Sequence, residues 1–149
     1  MAEEIELEIP ARPEFLAVAR LVVSAAAANE PTFSEERIDD LRLAVSEAAT
    51  NAIEEQRRAN RVDGGDVGVT IRCTVDSGQV EVEVGDQGAG FDPNLLVPHP
   101  DVTDPARLDH ERGLGIPLIR LLTDEVEFRP SAAGTVVRMV VHAAPNGGP

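Results

Sequence analysis

The chain has 149 residues, 42% of them hydrophobic, which favours one compact domain with a sizeable core and excludes a wholly disordered chain. Aromatic residues make up 3%, with no Trp or Tyr, so the core must be Val, Leu, Ile and Ala, and base recognition by aromatic stacking is nearly excluded. A formal net charge of −14 repels phosphate backbones and anionic lipid, which argues against direct nucleic-acid or membrane partners.

The N-terminal MAEEIELEIP is acidic where a signal peptide would be basic, and the apolar stretch from Ala17 to Ala28 is broken by Arg20 and Ser24. A cytoplasmic protein without a membrane span is expected. Ile5, Leu7 and Ile9 alternate with Glu4, Glu6 and Glu8, the period of a strand with one solvated face, and Pro10 and Pro13 end it. Residues Glu14 to Ala28 are rich in Ala, Val and Leu without alternation and stop at Asn29 to Pro31, which predicts a helix.

Ser34 reads as the N-cap of a second helix with Glu35 and Glu36 in its first turn, and Ile38, Leu41, Val45, Ala48 and Ala52 follow at helical steps. After Gly64 and Gly65, two alternating runs, Val67 to Val75 and Val80 to Val84, flank Asp76-Ser77-Gly78 and predict a hairpin. Cys73 falls on its first strand as a buried residue; alone in the chain, it forms no internal disulfide, which suits a reducing cytoplasm. The aperiodic stretch from Phe91 to Arg112 is too long for an ordinary connection and is expected to be a functional loop. A helix over Ile116 to Leu122 and a strand pair over Val126 to Phe128 and Thr135 to Val141 complete the chain, with residues 145–149 as a tail behind a domain over 1–144. The predicted fold class is α+β, a two-layer α/β sandwich with helices on one face of a mixed, mostly antiparallel sheet.

Three segments carry polar or glycine positions that packing does not request. In Ser46-Glu47-Ala48-Ala49-Thr50-Asn51 the carboxylate and the amide are four apart and share one helix face, which a plain solvated face would also explain. Asp86-Gln87-Gly88-Ala89-Gly90-Phe91 follows the strand ending at Val84; its glycines allow close backbone approach and its carboxylate can accept from an amino group, although a bare turn has the same pattern. Glu111-Arg112-Gly113-Leu114-Gly115-Ile116 precedes a helix whose free N–H groups and dipole favour phosphate, and it equally suits a capped helix start. Every basic residue is Arg, so a Walker phosphate loop with its G-K-[ST] is absent.

Taken in order, with Gly134-Thr135 opening the last strand, these segments resemble the GHKL ATPase superfamily with its Bergerat fold, and within it the small anti-sigma factor serine kinases of the RsbW type. SEAATNAI resembles the N box, DQGAGFD the first glycine box, and ERGLGIPLIRLLTDEVEF the second glycine box with its helix. The resemblance implies ATP and Mg²⁺ as cofactors. Asn51 would bind Mg²⁺, Glu47 would be the general base, and Asp86 would read the adenine amino group with Thr135 in support. Gly88 and Gly90 would permit close approach, and Arg112, Gly113, Leu114 and Gly115 would hold phosphates under a lid formed by the long loop. It also implies a sigma factor and a STAS-domain antagonist as partners, and a homodimer. Two features depart from the family pattern: Asn51 is followed by Ala52-Ile53-Glu54-Glu55-Gln56 where many relatives carry a His, and only Leu114 separates the second pair of glycines. The three histidines, His99, His110 and His142, fall in a loop or strand and not on a dimerisation helix, so an intact sensor histidine kinase is rejected. An ATP-binding regulator of the same fold without kinase activity, and an acidic interaction domain whose glycine boxes are only turns, remain the alternatives.

Overall fold

The computed structural model describes residues 2–88, 112–131 and 133–143; the side chains of residues 112–115 and 131 lie outside that description. The long loop with its expected lid, Gly90, His99, His110 and the tail all lie outside the described residues. The elements are β1 (Glu3–Ile9), a short 3-10 turn (Pro13–Phe15), α1 (Leu16–Ala28), α2 (Glu35–Asp63), β2 (Val69–Asp76), β3 (Gln79–Asp86), α3 (Arg112–Leu122), β4 (Glu125–Ser131) and β5 (Gly134–His142).

The five strands run in the order β1-β2-β3-β5-β4, and all four pairings are antiparallel. The expected parallel component does not occur among the described strands. Among the described residues, helix α3 lies between β3 and β4 in sequence; these strands point the same way, but β5 enters between them and pairs with both. The two-layer architecture is as the sequence implies. Ile9, Val69, Ile71, Cys73, Val75, Val80, Val82, Val84, Val137, Met139 and Val141 turn one face of the sheet to the helices. The opposite face carries ion pairs: Arg72 with Glu4, Glu6 and Glu83, Arg129 with Glu127, and Arg138 with Glu81.

Helix α2 begins where its chemistry directs it. Ser34 accepts a hydrogen bond from the Arg37 N–H at 3.1 Å, and the helix ends on Gly64, whose φ of 71° a side chain would disfavour. Its buried stripe runs Leu41, Ala44, Val45, Ala48, Ala49, Ala52, Ile53, and the small residues let α1 pack closely through Ala19, Val23, Ala26 and Ala27. Arg37 latches the start of α2 to the end of the sheet: it donates to the His142 carbonyl at 2.9 Å and to Asp124 at 2.6 Å, while Asp124 accepts the His142 N–H at 2.7 Å.

Three boundaries differ from expectation. Helix α3 starts at Arg112, four residues early, and carries Pro117 in its interior; burial of Ile119 against the core outweighs the poor helix propensity of its glycines and proline. Strands β4 and β5 extend to Ser131 and back to Gly134, so their connection is short. Strand β2 begins at Val69, leaving Val67 at its approach. Cys73 is fully buried, and burial pushes its thiol up to about 11, which makes it an inert core residue. No helix among the described residues is long and apolar enough to cross a membrane.

Candidate functional site

Glu47 and Asn51 stand one turn apart on α2, both half-buried, beside the fully buried Ala48 and Ala49. The apolar stripe pins the helix, so the polar pair is held at the rim of the core. The turn between them is closed by the Thr50 hydroxyl, which donates to the Ser46 carbonyl at 2.7 Å, and Arg20 of α1 donates to the Ser46 hydroxyl at 3.3 Å. One further turn along the same face is Glu55, which pairs with Arg58 at 2.7 Å.

Gly88 sits against this point of α2. A Cβ there would fall 3.3 Å from the Glu55 carbonyl oxygen and 2.9 Å from Oδ1 of Asp86, so a side chain would crowd the helix and displace the Asp86 carboxylate. The second polar segment, remote in sequence, therefore meets α2 at Glu55, one turn beyond the first.

Asp86 ends β3 at 9% exposure, opposite Thr135 of β5. Its Oδ1 accepts the Gly88 N–H at 2.9 Å. Burial raises the carboxyl above the ordinary Asp range, opposed by backbone hydrogen bonds from Gly88 and Thr135. The folded chain thus binds this proton more tightly than the unfolded chain, and the ionised form costs stability that is lost as pH rises through the folded pKa. A carboxylate kept where it destabilises the fold is a candidate for function. The entry of β5 beside it requires Gly134: at φ 133° a Cβ would lie 2.0 Å from the Asp86 carbonyl oxygen.

The third segment forms the first turn of α3, which packs along α2. Its backbone places Arg112, Gly113, Leu114 and Gly115 at a helix N-terminus, where N–H groups lack intrahelical partners. The structure thus brings Glu47, Asn51 and Gly88 to one face of α2 and Asp86 and Thr135 to the strand ends beside it. Gly90 and the side chains of Arg112, Leu114 and their neighbours lie outside the described residues.

Sequence reasoning missed Gln56. It is 1% exposed, its Oε1 accepts the Gln87 N–H at 2.6 Å, and its Nε2 donates to Oδ1 of Asn60 at 3.1 Å. The signal was present: Gln56 continues the buried Val45, Ala49, Ala52 stripe at helical spacing, and a polar residue on an apolar stripe asks for a buried partner.

A family model described as the Histidine kinase-like ATPase domain matches residues 9–141. Serine-protein kinase RsbW of Bacillus pumilus (strain SAFR-032) is 38% identical over 136 residues, covering 89% of this chain and 82% of that protein. Serine-protein kinase RsbW of Bacillus cereus (strain AH187) is 34% identical over 138 residues, covering 91% and 82%. Among solved structures, the Erythrobacter litoralis EL346 blue-light activated histidine kinase superposes with a TM-score of 0.53 at 25% identity, over 74% of this chain and 32% of that one. The histidine kinase domain from the same protein gives 0.51 at 20% identity, over 91% and 62%. The chain spans less than two thirds of either solved structure, and they establish the fold alone. With the family model running from β1 to β5 and the kinases matched over most of both chains, the chain belongs to the histidine kinase-like ATPase family, among its RsbW-type serine-protein kinases.

Proposed function

We propose that the chain is an anti-sigma factor that phosphorylates a STAS-domain antagonist with ATP, switching between the two partners. The observation that carries this reading is the buried carboxylate of Asp86 at the end of β3, beside the contact of Gly88 with α2. Asp86 accepts the adenine amino group, with Thr135 supporting it. Gly88 and Gly90 let the base and sugar approach the backbone, and Arg112 with the N–H groups of Gly113, Leu114 and Gly115 holds the phosphates.

Among the described residues no three His, Cys, Asp or Glu side chains are grouped to hold a metal ion. The Asn51 amide oxygen suits instead a cation that takes most of its ligands from phosphate and water, as Mg²⁺ does. Mg²⁺ held there supplies neutralisation of phosphate charge. The Glu47 carboxylate takes the proton of an antagonist Ser or Thr hydroxyl as its oxygen bonds to the γ-phosphorus. The bond from that phosphorus to the bridging oxygen breaks, leaving ADP and a phosphorylated side chain.

The setting is the cytoplasm, where the lone Cys73 stays reduced. The net charge of −14 attracts the basic, DNA-facing surfaces of a sigma factor, although charge supplies attraction and not identity. A phosphate adds roughly 1.5 to 2 negative charges to the antagonist, and repulsion from this acidic protein favours its release. Incubation with labelled Mg-ATP and candidate antagonists is expected to label a Ser or Thr of one of them. ATP binding with no label on any antagonist would replace this reading with an ATP-binding regulator of the same fold; no ATP binding at all would leave an acidic interaction domain.

The protein is further proposed to be a homodimer. In support, among the described residues β1 pairs with β2 on one edge and with no strand on the other, an edge that a second chain could extend. Light scattering is expected to give twice the 15.9 kDa chain mass. A monomer at micromolar concentration, with and without nucleotide, would refute it.

A further inference from the structure

Gln56 is buried at a position where the spacing of α2 calls for an apolar side chain, so its polar contacts must compensate its burial. They form a directed chain. The Gln87 N–H can only donate, which turns Oε1 of Gln56 toward it and Nε2 toward Asn60. Asn60 in turn accepts the Val67 N–H with Oδ1 at 3.2 Å and donates from Nδ2 to the Val67 carbonyl at 3.0 Å. Backbone groups at both ends fix the polarity, and neither amide can flip without breaking two bonds.

The chain ends on the residue between Asp86 and Gly88. Asp86 is aligned by its register with Thr135, Gly88 by its hydrogen bond to Oδ1 of Asp86, and Gln87 by Gln56. The Gln87 anchor comes from α2, and it joins the helix that carries Glu47 and Asn51 to the segment that bears the carboxylate. At 1.5 Å per residue, Asn51 lies about 7.5 Å and Glu47 about 13.5 Å along the axis from this anchor. The spacing sets an Asp86 end and a Glu47 end of one site on a single rigid rod.

We propose that Gln56 is a positioning residue that sets nucleotide base selectivity, by tying Gln87 to α2 and so aiming the Asp86 carboxylate. This rests on the reading of Asp86 as the acceptor of the adenine amino group. Gln56 touches no nucleotide; its effect passes through the backbone of residues 86–88. Loss of the tie leaves phosphate binding in place and relaxes the choice of base.

The test is calorimetric titration of the full chain with ATP and GTP. Gln56→Met keeps the length of the side chain and removes both hydrogen bonds; it is expected to lower the ATP-to-GTP affinity ratio about three- to tenfold, nearly all through ATP. Gln56→Glu, which keeps an acceptor facing Gln87, is expected to recover most of that ratio. Amide exchange should show the Gln87 N–H losing protection in Gln56→Met while the β3 amides keep theirs. If Gln56→Met does not fold, Asn60→Ala at a partly exposed position carries the same comparison, with a smaller loss. A native protein that prefers ATP, with the ratio unchanged in these variants, overturns the role of Gln56 alone. A native protein with no preference for ATP overturns the reading of Asp86 and this inference with it.

Discussion

Asp86→Ala is expected to weaken ATP binding about ten- to a hundredfold, because a hydrogen bond to a charged group contributes about 1.5 to 3 kcal/mol. The effect is large since the lost acceptor is buried and water cannot replace it without entering the core edge. Asp86→Asn separates binding from folding. It can keep an oxygen for the Gly88 N–H, and its amide then presents a donor to the adenine amino group where an acceptor is needed. Either change also removes a carboxyl group whose ionised form burial disfavours, so a loss of affinity is not expected to follow from a loss of fold. The pH dependence gives an independent check. If Asp86 accepts the adenine amino group, ATP affinity requires its ionised form; since burial raises its pKa, affinity should fall on acidification at a higher pH than an ordinary Asp would impose. The titration of ATP itself is common to both proteins, so the affinity ratio of native protein to Asp86→Asn isolates the Asp86 component and should narrow toward acid pH. Undiminished binding by a folded Asp86→Ala variant, or a ratio that does not change with pH, would reject the assignment.

How much of this was legible beforehand depends on whether a feature is local. The period of Ile38, Leu41, Val45, Ala48 and Ala52 set α2, and the alternation of Val80, Val82 and Val84 set β3, because burial of one face repeats at the spacing of the element itself. Glu47 and Asn51 were legible for the same reason, as a polar pair four residues apart. The start of α3 was not, since glycine and Pro117 disfavour a helix locally and the packing of Ile119 overrides them. Nor was the length of β4: Pro130 reads as a breaker, yet an edge strand tolerates a residue with no N–H to donate. The raised pKa of Asp86 comes from its burial in the folded chain, and the insertion of β5 beside it, between β3 and β4, is a long-range event that no window of sequence contains. Gln56 could be read as a polar residue on the apolar stripe of α2, but its partner could not, because a backbone N–H has no sequence signature.

Glu47 is the residue on which the enzyme and the regulator readings part. It stands on α2 one turn before Asn51, and on the proposed reading it would face the substrate hydroxyl while Asn51 would hold the cation. Glu47→Gln keeps size and helix propensity and removes the ability to accept a proton, and loss of a positioned general base slows transfer by about 10²- to 10⁴-fold. ATP binding should be nearly unchanged, because on the proposed reading adenine is held at the Asp86 end, about 13.5 Å farther along α2 at the Gln56 anchor. The physiological consequence follows from mass action: an antagonist that captures the variant is not phosphorylated, so the repulsion that would release it never develops. The variant should therefore hold its antagonist persistently and leave the sigma factor free. Mass spectrometry of the antagonist after incubation with Mg-ATP distinguishes the outcomes. Phosphorylation by Glu47→Gln at the native rate would remove Glu47 from the chemistry and point to a base outside the described residues, whereas a slow variant that binds ATP normally would place the proton transfer at this carboxylate.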